Sequence, residues 1–138
     1  MKLKWKLIGV LSCVVLSAAA SDIKVIANSC VKVSQVSSDD LKSIFLMTKT
    51  SLADGGHIEP VLLKSGAAHQ TFVRLYIGKT APTLENYYRS LVFAGKCTMP
   101  KMLASDEEVV EYVAKTKGAI GYVNAGANLA DVKILEVR

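Results

Sequence analysis

Residues 60–78, PVLLKSGAAHQTFVRLYIG, join a short apolar strand to a helix through a turn of small residues. The apolar run 61–63 is typical of a buried strand, and the Ser-Gly-Ala-Ala sequence of residues 65–68 lets the backbone turn tightly. Apolar residues then recur at helical spacing, namely Phe72, Leu75 and Tyr76. The stretch therefore predicts a strand, a tight turn, and a helix that begins near Ala68 and stops at Gly78.

The turn is also the best candidate for a binding site. The first backbone N–H groups of a helix have no partner within the helix, and the aligned peptide dipoles place roughly half a positive charge there. Small anions bind at such ends. Ser65 offers a hydroxyl donor, and Gly66 has no Cβ to hold a ligand away from the backbone. Alternatively, Ser65 is only the N-cap of the helix.

The first twenty residues have the pattern of a secretory signal peptide. Lys2, Lys4 and Lys6 precede an apolar run at residues 7–16, and Ser-Ala-Ala-Ala follows at 17–20. The run is too short to span a bilayer, and the small residues suit a signal peptidase. We expect cleavage after Ala20, one domain over residues 21–138, and a periplasmic or secreted location. The alternative is a lipoprotein acylated at Cys13.

The apparent basic charge belongs to this leader. The whole chain has 17 Lys and Arg against 12 Asp and Glu, and the net charge falls from +5 to +2 without the three leader lysines. No basic stripe interleaved with aromatic residues remains, so the composition gives no support for a nucleic-acid partner.

Two cysteines follow the leader, Cys30 and Cys97. Outside the cytosol a disulfide between them would persist, but the sequence does not tell whether they lie close enough to form one. They have no nearby CxxC or HxxH partner, so no metal site is predicted.

The rest of the chain predicts an α/β domain in which helices pack on a mixed sheet. Ser37 and Ser105 each begin a helix, with an acidic residue three positions later. Pro60 predicts that its strand is paired on one side only near its start. The predicted strands are residues 22–27, 57–63, 119–123 and 132–137, the further helices begin near 37, 82 and 105, a turn lies at 54–56, and 97–103 is irregular.

Four motifs of this chain together resemble the periplasmic phosphate-binding proteins of ABC importers. They are LKSIFL at 41–46, the Asp54-Gly55 turn with Ile58 and Val61, the Ser65-Gly66 turn with Phe72, and KGAIGYV at 117–123. Their order and spacing match one of the two lobes of that family. The resemblance implies a single lobe of the type II periplasmic-binding-protein fold, in which helix N-termini face a cleft that holds an oxyanion.

The resemblance also implies which residues contact the anion. Ser65 and Gly66 match the Ser-Gly-Thr turn of the family, whereas Ala67 stands where the family has a threonine. Lys64 supplies a point charge in a stretch where the family has an arginine and an aspartate. Asn28, at the end of the first strand, occupies a position that often lines the cleft. The implied anion-binding residues are Asn28, Lys64, Ser65, Gly66 and Ala67.

The resemblance implies a solute-binding domain like the phosphate-binding component of ABC importers, for phosphate or another small oxyanion. The alternative is a non-catalytic protein-interaction module that has kept the fold and lost the ligand, with the former cleft face covered by a second copy or a partner protein. The sequence has no GxSxG, HExxH or P-loop motif, so no catalytic residue, cofactor or metal is predicted.

Overall fold

The computed structural model describes residues 23–52 and 56–138. The predicted signal peptide and most of the predicted turn at 54–56 lie outside the described residues. The strands are β1 Ile23–Asn28, β2 Gln35–Val36, β3 Glu59–Leu63, β4 Lys101–Leu103, β5 Ala119–Asn124 and β6 Val132–Val137. The helices are α1 Ser38–Phe45, α2 Ala67–Phe72, α3 Ala81–Phe93 and α4 Asp106–Lys115, and a π-helical segment Val73–Ile77 continues α2.

The strands form one mixed sheet in the order β2-β6-β1-β5-β3-β4. Strand β1 runs antiparallel to both β5 and β6, whereas β3 runs parallel to both β5 and β4. The prediction of an α/β domain with a mixed sheet is confirmed. Strands β2 and β4 were not predicted, and β4 replaces part of the segment expected to be irregular. Both are edge strands of two or three residues, too short to show a period in the sequence.

Pro60 lies where the sequence places it, at the start of a strand with one partner. Strand β3 pairs with β5 at Glu59 and Pro60, and with β4 only from Val61 onward. Because proline has no backbone N–H, it fits a position where one side of the strand has no partner.

Two helix starts agree with the capping residues in the sequence. The Ser37 hydroxyl accepts a hydrogen bond from the Asp40 N–H, and the Ser105 hydroxyl accepts one from the Glu108 N–H. Glu108 also accepts from the N–H of Ala104, the residue before the N-cap, so its carboxylate reaches back over the start of α4. The apolar face of α1 is buried at Leu41, Ile44 and Phe45.

The helix after the turn differs from the prediction in its second half. It begins at Ala67 and ends at Gly78, which is left-handed with φ +73°. The π-helical segment has one more residue per hydrogen-bonded helical turn than an α-helix, and this extra residue changes which side chains face the core. As a result Val73 and Ile77 are buried, while Leu75, which was predicted on the buried face, is 53% exposed.

Helices cover both faces of the sheet around β5. A Cβ built at Gly121 would contact Val109 and Val113 of α4. The next residue, Tyr122, points to the other face, where its ring stacks on Phe72 and lies beside Phe45. The core therefore has one layer under α4 and one under α1 and α2. Among the described residues, no helix is both long and apolar enough to cross a membrane.

Candidate functional site

Four of the five predicted site residues form one exposed turn between β3 and α2. They are Lys64, Ser65, Gly66 and Ala67. Gly66 is the N-cap of α2, with φ +103°, and no side chain caps the helix. The alternative interpretation of Ser65 as the N-cap is therefore wrong. The positive φ of Gly66 explains the glycine, because other residues rarely adopt it.

The backbone of this turn is open to ligands. Within residues 23–52 and 56–138, the N–H groups of Gly66, Ala67 and Ala68 donate to no protein acceptor. A Cβ built at Gly66 meets no atom within 4 Å, so the space beside it is free. Lys64 and the Ser65 hydroxyl add a charge and a donor at the same place.

Asn28 does not lie with the other four residues. Strand β1 is antiparallel to β5 and β5 is parallel to β3, so the end of β1 lies beside the start of β3. Leu63, at the opposite end of β3, is about 13 Å away at about 3.3 Å per strand residue, and Ser65 lies two residues beyond it. The structure therefore places Asn28 and the turn at opposite ends of the strands.

The side chain of Asn28 has a structural role at its end of the sheet. It is 5% exposed, and its Nδ2 donates to the carbonyl groups of Val113, at 2.8 Å, and Ala114, at 3.1 Å. Its Oδ1 accepts from the Cys30 N–H at 2.9 Å. Both amide hydrogens and the oxygen of Asn28 are therefore hydrogen-bonded, and these bonds hold the C-terminal end of α4 against the sheet.

The sequence left open whether Cys30 and Cys97 form a disulfide. In the structure both are free thiols.

Sequence reasoning missed the buried polar pair of His69 and Tyr122. His69 lies near the start of α2, next to the exposed residues of the turn, yet it is only 6% exposed. Its Nδ1 is hydrogen-bonded to the Tyr122 hydroxyl, which also accepts the Leu63 N–H at 3.2 Å. The available signal was spacing, since His69 lies three residues before Phe72 and on the same helical face.

Burial keeps this pair neutral. Loss of solvent lowers the pKa of His69, and the negative charge of Glu85 only partly offsets that effect. Burial likewise raises the pKa of the Tyr122 hydroxyl. A neutral imidazole has one donor and one acceptor nitrogen, so one hydrogen bond joins the two neutral side chains.

We expect His69 to make the stability of the protein depend on pH. Its pKa in the folded state lies below the ordinary value of about 6.5, so the unfolded chain binds the proton more readily. The stabilisation is complete above pH 6.5 and is lost as the pH falls from there toward the lowered folded-state pKa. Urea unfolding at pH 7.5 and 5.5 should show a larger loss for the wild type than for His69→Gln. The His57→Gln variant, at an exposed position, is the control. If His69→Gln loses as much free energy of unfolding between pH 7.5 and 5.5 as the wild type does, the assignment is contradicted.

The sequence matches no protein-family model and no curated protein. Solved structures do resemble the fold. One is an ABC-type phosphate transport receptor from Vibrio cholerae, with a TM-score of 0.62, 15% identity, and coverage of 84% of this chain and 46% of the receptor. Another is PstS from Borrelia burgdorferi, with a TM-score of 0.65, 17% identity, and coverage of 85% of this chain and 47% of PstS.

This likeness concerns the fold. The chain spans less than half the length of each of these proteins and has the fold of one lobe of a type II periplasmic-binding protein, with its mixed sheet and flanking helices. The fold class inferred from the four motifs is confirmed.

Proposed function

We propose that this chain is a non-catalytic solute-binding domain that holds phosphate or another small oxyanion at the turn of residues 64–67. The supporting observation is the set of free backbone N–H groups at Gly66, Ala67 and Ala68, with Lys64 beside them and no side chain in the way. Donors fixed by the backbone bind an anion without having to be ordered first. The fold shared with a phosphate transport receptor agrees with this function.

We further propose that residues 1–20 direct export and are removed, and that the domain acts in the periplasm or outside the cell beside an importer permease. One lobe offers only one side of a cleft, so we expect an affinity no tighter than roughly millimolar. The described residues give no support for pairing with a second copy of the chain.

The second candidate is a protein-interaction module on the same fold. It is favoured by Ala67, which has no hydroxyl where the resemblance implies one, and by Phe93 on α3, which is 93% exposed. Such a module would not respond to anions, so one experiment distinguishes the two candidates.

We expect phosphate to raise the melting temperature of the protein in a saturable way, beyond the effect of chloride at equal ionic strength. Binding to the folded state alone adds about 1.4 kcal/mol to the free energy of unfolding at a tenfold excess over Kd. In Gly66→Val the branched side chain would crowd the turn, and the shift should vanish.

Gly78→Val is the matched control, because Gly78 also has a positive φ and no atom within 4 Å of a Cβ. It carries the same kind of backbone strain at the far end of the helix and should keep the phosphate response. No saturable shift in the wild type would favour the interaction module, and equal shifts in all three proteins would place the anion elsewhere.

A further inference from the structure

A cavity lies next to the turn, at the end of β3 and beneath the start of α3. Its volume is about 430 Å³, within the usual range for small-molecule sites. Its lining is partly polar, from Lys64, His69 and Glu85, and partly apolar, from Pro82, Leu84 and Met102.

One of the polar lining residues is a fixed hydrogen-bond donor. The Tyr122 hydroxyl accepts from Leu63, and its own proton has one acceptor among the described residues, the Nδ1 of His69. Tyr122 therefore donates to Nδ1, which leaves the proton of the neutral imidazole on Nε2. Since Tyr122 is fully buried and anchored to β3, the imidazole is held in one orientation.

The Nε2 atom of His69 opens into the cavity. It has no hydrogen-bond partner in residues 23–52 and 56–138. In the same residues, no fully buried side-chain nitrogen or oxygen lacks a partner. Nε2 must therefore reach open space, and the imidazole lines this cavity. An almost completely buried side chain thus presents an unused N–H donor to a space large enough for a ligand.

The two charged residues that line the cavity have opposite signs. Lys64 carries an ammonium group, and Glu85 carries a carboxylate that forms an exposed ion pair with Arg89 at 2.6 Å. Exposed pairs of this kind are weak, so Glu85 can exchange Arg89 for a ligand at little cost. A ligand with a single charge would satisfy one of the two groups and be repelled by the other.

We propose that this cavity binds a small zwitterion of the α-amino-acid class with a short apolar side chain. The ligand carboxylate accepts from His69 Nε2 and pairs with Lys64, and its ammonium group pairs with Glu85. The side chain lies against Pro82, Leu84 and Met102. This site goes beyond the oxyanion turn and does not rest on it, although Lys64 borders both.

The test is calorimetric titration of the protein with five probes. These are L-leucine, L-methionine, 4-methylpentanoate, isopentylamine and inorganic phosphate. The two amino acids should bind saturably, and the two fragments, each lacking one charge, should bind at least about tenfold more weakly. His69→Phe keeps a ring but removes the donor, and Glu85→Gln removes the charge. Each should weaken leucine binding about tenfold or more.

Lys96→Gln and Glu107→Gln are the matched controls, since both residues are exposed and lie outside the cavity wall. Both should bind leucine as the wild type does. If His69→Phe does not fold, Glu85→Gln, at an exposed position, still decides. The proposal is overturned if leucine binds no better than 4-methylpentanoate, or if Glu85→Gln binds leucine normally. Phosphate binding that is lost in Gly66→Val but kept in Glu85→Gln belongs to the turn, so the two proposals fail separately.

Discussion

Replacing Gly118 with alanine is expected to lower the free energy of unfolding by about 3 kcal/mol or more. Gly118 has φ +78°, and a Cβ there would lie 2.1 Å from the carbonyl oxygen of His57. The two segments cannot easily separate, because the Gly118 carbonyl accepts the Glu59 N–H at 2.9 Å and the Ile58 N–H donates to Thr50 at 2.8 Å. Urea unfolding of the purified protein measures the loss.

Gly126→Ala is the matched control. A Cβ at Gly126 meets no atom within 4 Å, and the residue does not have a positive φ. Its free energy of unfolding should stay within about 0.5 kcal/mol of the wild type. If both variants lose the same amount, the close approach of Gly118 to His57 does not constrain the fold.

The motif KGAIGYV identified the fold because its residues meet packing requirements. Gly118 leaves room for the His57 carbonyl. A Cβ added at Gly121 would lie only 3.0 Å from the Val109 side chain. Tyr122 forms the centre of the aromatic core. None of these requirements involves a ligand. A motif of this kind therefore supports the fold much more strongly than it supports phosphate as the solute.

Local signals in the sequence were sufficient for most elements. The caps at Ser37 and Ser105 act within four residues, and the alternation of residues 132–137 gives the bounds of β6. Strand β4 has no such signal, because its three residues become a strand only by pairing with Val61–Leu63 of β3.

The candidate site was predicted only where it is local. The turn at residues 64–67 follows from its small residues, but the position of Asn28 depends on the direction of β1 relative to β5, which no local pattern gives. The burial of His69 likewise depends on Tyr122, which is distant in sequence. The residues that line the cavity come from the turn after β3, from α2, from α3 and from β4. Only tertiary packing brings them together, so no local pattern in the sequence predicts the cavity.

Replacing Phe72 with alanine is expected to lower the free energy of unfolding by about 3–5 kcal/mol. Phe72 is fully buried. Its ring stacks on Tyr122, with 3.8 Å between centroids, and meets Phe45 edge-on at 4.8 Å. The substitution leaves a cavity between α2 and the sheet, and it removes three aromatic contacts, with Phe45, Tyr76 and Tyr122, in addition to the buried area. Urea unfolding measures the loss, and near-ultraviolet circular dichroism reports the aromatic packing around Tyr122.

Leu75→Ala, on the same helical segment, is the matched comparison. A regular α-helix would place Leu75 one turn after Phe72 and on the same buried face, so both substitutions would be costly. The π-helical segment Val73–Ile77 turns Leu75 outward, where its side chain is 53% exposed. We therefore expect Leu75→Ala to change the free energy of unfolding by no more than about 0.5 kcal/mol. A loss comparable to that of Phe72→Ala would mean that the helix keeps α-helical phase up to Gly78, and that the sequence pattern was correct at Leu75.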